Sequence, residues 1–433
     1  MADNVVEQMR ADWNARAADD AHYYVAFGRR EQDDEEFQST GDEVVHGLEW
    51  EMRRFGAISN KRAMRALEIG CGPGRLMGPM SAHFGEIHGV DISDQMVARA
   101  RGRLAAVPHA HAHVARNSNL EMFASESFDF VYSYAVFQHI PSREVVLGYL
   151  EEAFRVLKPG GLIRCQLNGL PETAARYDTW RGVRISADDF KAFCKATGFQ
   201  MYSLEGASTQ YMWTTLRKRA RGWHDALPSP QQSCTIRRIT NAQNSEPVAP
   251  AAGRFAALSL WVDGLPEEGD ILNLDVRLAD AAAPIVYIGP REHDGMTQVN
   301  VRVPEGVSTG LLPVTVCWRG EAICAPSKIR IVPQPPIVPR VVALSDGINL
   351  MSGARIESRS VKLTMEEMLD ASQFTASIDG VAAVNVDAFC TDPIPPRHEI
   401  NFDLPPGITP GPHLIELRLG RRLLAPIPIE VVA

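Results

Sequence analysis

Along the first half of the chain, short apolar runs alternate with longer stretches whose apolar residues recur at helical spacing. The runs at 66–69, 86–90, 109–114, 128–134 and 162–167 have the length and apolar density of strands. The stretches at 75–84, 93–104, 143–157 and 186–197 read as helices. Ser93 and Ser186 stand where N-caps are expected, with Asp189 three residues after Ser186. Pro159, Gly160 and Gly161 give a stop signal after the third helix. Two more runs, 200–204 and 210–216, read as an antiparallel hairpin. Strands alternating with helices predict an α/β domain over residues 1–222, built on a mostly parallel, doubly wound sheet.

The pattern changes after residue 222. Residues 223–253 are rich in Pro, Ser, Gln and Asn and read as a linker. Beyond them lie short strand-like runs punctuated by Pro and Gly. "VNVRVPEGVSTG" (299–310) matches "INFDLPPGITPG" (400–411) at an offset of 101 residues, pairing Asn300 with Asn401 and Pro304 with Pro405. Ala325-Pro326 matches Ala425-Pro426, so the second copy is one residue shorter between the two matches, where a hairpin turn is expected. The repeat predicts two all-β sandwich domains, 254–333 and 338–433, split by "PQPPIVP". Cys317 and Cys324 flank the expected turn of the first, close enough in sequence to face each other.

Composition narrows the function classes. A chain of 433 residues with 45% hydrophobic and 22% charged residues is an ordinary globular composition with room for several domains. A net charge of −9 argues against a general nucleic-acid binder. The polar, acidic first twenty residues have no apolar signal core, and no run approaches the roughly 18 apolar residues of a membrane span. Seven cysteines without CxxC pairing fit a reducing, cytoplasmic setting.

The chemistry gathers where the first strand turns into the first helix. "ALEIGCGPGR" (66–75) places Gly70, Gly72 and Gly74 at alternate positions beyond the strand's carboxyl end, where doubly wound sheets bind ligands. No Gly-Lys-Ser/Thr follows, so this is not a triphosphate loop. Asp91 ends the second strand, placed to accept hydrogen bonds from both hydroxyls of a ribose. His109, His111 and His113 share a strand face, but with no Cys or carboxylate nearby in sequence no metal site is expected.

"LEIGCGPGR", "HGVDIS", "SFDFVYSYAVFQHI" and "RVLKPGGLIRCQL" resemble, in that order, the successive motifs of class I S-adenosylmethionine (SAM)-dependent methyltransferases. The resemblance covers about residues 40–217 and implies a Rossmann-like fold with SAM as cofactor. It implies that Glu68, Gly70, Cys71, Gly72 and Gly74 face the methionine part of SAM. Asp91 would hold the ribose, Ile92 would pack on adenine, and Tyr134, Ala135 and the residues up to His139 would border the sulfonium. Where the family often has an acidic residue toward the adenine amino group, this chain has Arg116, with Asn117 beside it as a substitute acceptor.

His139 is the candidate general base. "SYAV" stands where amino-group nucleic-acid methylases carry Asn/Asp-Pro-Pro-Tyr, which argues against base N-methylation. A small-molecule, lipid or sugar acceptor methylated on oxygen is the expectation. Tyr23, Tyr24, Tyr177, Trp180, Tyr211 and Trp213 are the candidate acceptor walls, with "AHYYVAFG" as a lid. The sandwiches resemble bacterial immunoglobulin-like modules of the TIG type, suited to a homo-oligomer contact or a protein partner. The rival reading is a SAM-binding scaffold that acts through those modules in protein or glycan interaction.

Overall fold

The structure, a computed structural model, describes residues 2–26, 30–56, 61–117, 119–172, 177–227, 234–253, 255–349, 353–392 and 396–432. It opens with α1, Ala2–Ala26, which breaks at Asp20 (φ −156°, ψ 93°). The Asp20 carboxylate accepts the Tyr23 amide at 3.0 Å, so it caps the short helical piece that follows the break. Two helices follow, α2 (Asp34–Ser39) and α3 (Asp42–Met52).

The α/β unit then runs β1 (Arg65–Ile69), α4 (Met77–Met80), β2 (Glu86–Asp91), α5 (Asp94–Arg103), β3 (Ala110–Val114), β4 (Phe128–Ser133), α6 (Arg143–Val156), β5 (Leu157–Leu167), α7 (Ala187–Thr197), β6 (Phe199–Glu205) and β7 (Met212–Lys218). Strand order is β3-β2-β1-β4-β5-β7-β6, with β1 to β5 parallel and β7 antiparallel to both neighbours. Ser93, Ser142 and Ser186 each accept a backbone N–H at the start of α5, α6 and α7, satisfying a donor the first turn leaves free. Two boundaries differ from expectation. The helix expected over 75–84 shrinks to α4 and a 3-10 turn at Ser81–His83, because the glycine loop keeps turn geometry as far as Leu76. The Pro-Gly-Gly stop lies inside β5, where a register shift against β4 absorbs it.

The stretch expected as a linker, 223–253, instead carries the strands Thr235–Asn241 and Val248–Pro250; residues 228–233 of it lie outside the described residues. Both strands belong to the first sandwich. One of its sheets is ordered Ile285–Arg291, Met296–Arg302, Ala257–Asp263, Thr235–Asn241. The second sandwich repeats that order with Val384–Asp392, Arg397–Asp403, Ser360–Glu366 and Arg340–Asp346. The facing sheets correspond in the same way, so the sequence repeat is a repeat of whole sandwiches. Cys317 pairs in its hairpin with Ala322, while Cys324 bridges to Cys234; all three thiols are free.

The first sandwich does not stand apart from the α/β unit. Tyr287 pairs antiparallel with Ser203 of β6, which joins the two sheets into one of eleven strands. β6 is buried along almost its whole length, as an inner strand must be. A buried polar knot holds the junction. Arg54 donates to Glu51 at 2.7 Å and to the Ile288 carbonyl at 2.6 Å, with both ionic side chains no more than 3% exposed. The Tyr287 hydroxyl donates to Glu51 at 3.1 Å and accepts from Trp50 Nε1 at 2.6 Å. Burial opposes the charge on Glu51, but the Arg54 and Arg164 guanidiniums outweigh it and hold the carboxyl below its usual range. The apolar core is also shared, running from Met64 and Tyr202 to Ile288 and Val299.

The second sandwich has its own core, from Ile356 to Val431. It touches the α/β unit where the Tyr23 hydroxyl donates to the Ile348 carbonyl at 2.9 Å. Asp346 shapes that loop by accepting the amides of Ile348, Asn349, Glu357 and Ser358. A fragment ending at residue 222 therefore strips β6 of its neighbour and bares the shared core. We expect it to aggregate, whereas a 1–337 fragment should stay monodisperse in light scattering. Glu51→Ala leaves Arg54 buried without its carboxylate and should lower stability by about 3–5 kcal/mol, read from urea unfolding of the full chain.

Candidate active site

At the carboxyl ends of β1, β2, β4 and β5, a cavity of about 250 Å³ opens beneath α1. Strand order reverses at β1, with β2 on one side and β4 on the other, which is where a doubly wound sheet leaves a crevice.

The glycine loop forms one wall. The amides of Gly70 and Cys71 donate to the Val90 carbonyl at 2.8 and 3.0 Å, folding the loop back onto β2. The Gly72 amide donates to Asp91 Oδ2 at 2.9 Å, and the Ser93 amide to Oδ1 at 2.8 Å. Asp91 is thus pinned from both sides while it faces the cavity. Burial pushes its carboxyl up to about 6, against the backbone N–H groups that favour the charged form. Gly72 has φ +50°, and a side chain there would project toward Val25 of α1, about 3.5 Å away, across the space between loop and lid.

The remaining loop residues support this wall from behind. A Cβ on Gly74 would meet Ala100 of α5 at 3.3 Å, so that glycine serves helix packing and does not line the cavity. Cys71 packs against Gly89, with its thiol raised by burial. Glu68 lies beneath the loop and accepts the Tyr132 hydroxyl at 3.0 Å; burial pushes its carboxyl up to about 8. Neither Cys71 nor Glu68 lines the cavity.

Ile92, Met96, Ala115 and Tyr149 make an apolar end beside Asp91. Arg10 of α1 closes over it by donating to the carbonyls of Ala115 and Arg116 at 3.2 and 2.7 Å. Asn117 is not among the cavity's residues: it is exposed, and its amide turns to Glu121 at 3.4 Å.

The opposite end lies over β4 and β5. Tyr134, Ala135, His139, Tyr24 and Tyr211 all line it. Trp213 stands behind, stacked on Tyr134 with ring centroids 5.6 Å apart. Trp180 flanks His139 from outside, with ring centroids 6.3 Å apart. Tyr23 turns away to Ile348, and Tyr177 packs on the core that β5 and α6 share. Burial, joined by the positive charge of Arg16, pushes the His139 imidazole down to about 4, below the near-neutral value expected of a free histidine.

Several cavity residues escaped the sequence reading. Trp13 of α1 meets His139 edge to face at 5.7 Å. Arg75 is buried, donates to Thr40 Oγ1 at 2.7 Å and lies over the Tyr134 ring. Arg75, Gln138, His139 and Gln166 all line the cavity, and each has a buried polar atom without a hydrogen-bond partner: Nε, Oε1, Nδ1 and Oε1. Gln138 belongs to the "FQHI" stretch, and only the fold shows that it lines the cavity.

The histidine strand makes a different contact. His113 Nε2 lies 3.0 Å from His88 Nδ1, and among the described residues no group of three or more His, Cys, Asp or Glu is placed to hold a metal ion.

Residues 67–165 match a family model described as a methyltransferase domain. A 24-methylenesterol C-methyltransferase of Oryza sativa subsp. japonica is 37% identical over 26% of this chain and 31% of its own length. A phosphoethanolamine N-methyltransferase of Caenorhabditis elegans is 28% identical over 39% of each chain. A ubiquinone biosynthesis O-methyltransferase of Cereibacter sphaeroides is 36% identical over 26% of this chain and 44% of its own. The matches thus span between about a third and a half of these relatives' length. Among solved structures, a Haemonchus contortus phosphoethanolamine N-methyltransferase in complex with phosphomonomethylethanolamine and S-adenosylhomocysteine is 23% identical, with a TM-score of 0.34 over 44% of each chain.

Asp91 gives the site a pH signature. Its carboxyl titrates near 6, so it is charged at neutral pH and gains a proton as pH falls through that value. The protonated form accepts hydroxyl hydrogen bonds poorly. SAM affinity should hold above about pH 7 and then fall by up to about tenfold per pH unit below 6. Asp91→Asn should bind more weakly and flatten the profile; calorimetry across that range reads both.

Proposed function

We propose that this chain is a SAM-dependent methyltransferase acting on a small-molecule, lipid or sugar acceptor, through an acceptor oxygen. The observation that carries the reading is the pinned Asp91 carboxylate facing a cavity at the sheet's switch point, beside the glycine loop. The residues present suit SAM. Asp91 takes the ribose hydroxyls, and Ile92, Met96 and Tyr149 flank the adenine with apolar surface. Arg75 of the cavity wall is the cation that would pair with the methionine carboxylate. When bound, SAM supplies a methyl group on a good leaving group.

The protein's part is mainly positioning. Val25, Met9 and Trp13 of α1 cover the cavity and exclude water. His139 is neutral at physiological pH, so it can take the proton that a hydroxyl acceptor releases. Its low basicity limits that help, and placement carries more of the rate. The sandwiches are immunoglobulin-like modules in this reading, serving assembly or partner binding in a cytoplasmic bacterial enzyme.

Labelled SAM incubated with the protein and a fractionated cell extract should transfer label to a small-molecule or lipid fraction; label only in protein or nucleic acid would refute the acceptor class. His139→Ala should leave SAM affinity within about twofold while cutting turnover by about 10²-fold, the low end for a general base. A loss of only a few-fold would make His139 a wall.

A further inference from the structure

We propose that the seam between the α/β unit and the first sandwich holds a second ligand site, shaped for a phosphate monoester with an apolar body. It lies apart from the methyl-transfer cavity, and the inference does not rest on that reading.

A pocket of about 200 Å³ opens where β6 and β7 meet the Ile285–Arg291 strand and the loop at 265–269. Arg217 of β7 pairs with Leu162, whereas Met212 pairs with Leu167 at the carboxyl end of β5. The pocket therefore sits toward the amino ends of the parallel strands, away from the crevice that Asp91 faces. Between Ile288 and Arg291 the ladder to Met296–Arg302 shifts register, and the bulged Gly289 and Pro290 line the pocket.

Three side chains here keep hydrogen-bond donors in reserve. The Tyr202 hydroxyl makes no hydrogen bond among the described residues and is not sealed from solvent. Arg217 donates to the Arg54 carbonyl at 3.0 Å through Nη2. Its Nη1 is not sealed either, and stands 3.7 Å from Glu267, an ion pair too long for a hydrogen bond. Arg291 donates to the Leu265 carbonyl at 2.6 Å, and no carboxylate among the described residues pairs with it.

Charge decides the sign of the ligand. Arg54, Arg217 and Arg219 bring positive charge to the Tyr202 hydroxyl, against the one carboxylate of Glu267. Arg54 is already matched by Glu51. Arg217, Arg219 and Arg291 then face Glu267 alone, whose side chain is 70% exposed and can swing into water when an anion arrives. Two reachable guanidiniums and a hydroxyl, with no acceptor among them, fit a dianion with several oxygens, as a phosphoryl group supplies. Leu265, Pro266, Ile288 and Pro290 give the rest of the pocket an apolar lining for the organic part of the ester.

The position gives binding a consequence. Tyr202 and Arg217 belong to the α/β unit, Arg291 and Leu265 to the sandwich, so one anion ties the two together and raises Tm by mass action.

The test titrates phenyl phosphate, inorganic phosphate and benzoate into the full chain at pH 8, followed by calorimetry. Phenyl phosphate should bind one per chain, at least about tenfold more tightly than either of the others. Arg291→Met, at an exposed side chain, should weaken it about tenfold, and Tyr202→Phe about threefold or more. Glu267→Gln should strengthen it about threefold by removing the competing carboxylate, a change of sign that damage to the fold does not produce. Excess S-adenosylhomocysteine should leave the affinity within about twofold, since the crevice lies elsewhere. No saturable binding, benzoate or inorganic phosphate binding as tightly as the ester, or Arg291→Met and Tyr202→Phe variants that keep full affinity would overturn the site. So would loss of phenyl phosphate on adding S-adenosylhomocysteine, which would put the probe in the crevice.

Discussion

One carboxylate ties the two strand–helix turns of the ligand crevice together. Asp91 accepts Gly72 from the first turn and Ser93 from the second. Those bonds fix the spacing of β1 and β2 at their carboxyl ends and hold a negative group where burial works against it. The surroundings follow from that constraint. Ser93 is free to cap α5 through its side chain, and Asn14 of α1 in turn accepts the Ser93 hydroxyl at 2.6 Å. The lid helix is thus anchored to the same turn that presents the carboxylate.

The two ends of the cavity divide the work. Near Asp91 the walls are apolar and their polar groups are paired. Over β4 and β5 the walls are aromatic, and polar atoms are left over.

Much of this was legible in the sequence. The glycine loop, Asp91, Ile92 and the residues after β4 sit in contiguous motifs whose spacing is local, and strand–helix alternation fixed their side of the sheet. Residues contributed across the sheet were less legible. Gln166 belongs to an ordinary buried strand, and Trp13 to a helix with almost no amphipathic pattern. Glu68 stands inside the motif yet faces away from the cavity, because alternate residues of a strand point opposite ways, and Gly74 lies in the loop beyond the strand, packed on α5. The strands inside 223–253 were hidden by their polar outer faces: Thr235–Asn241 alternates exposed Arg237 and Arg238 with buried Ile236 and Ile239. The fused sheet had no sequence signal, because β6 reads alike whether its neighbour is another strand of its own unit or one arriving from the sandwich.

The contact between Tyr23 and Ile348 also sets an order of events. Its partners lie 325 positions apart. A bond that closes so long a loop forms late, after the local elements have paid their ordering entropy. During synthesis the lid helix leaves the ribosome before the strands of the crevice, and the Ile348 loop after them. Until then the piece beyond Asp20 is held by His22, which stacks on Phe37 with ring centroids 4.0 Å apart, and by Ala21 and Val25, which pack with Met96. The earliest-made part of the ligand site thus receives its tie to the second sandwich last.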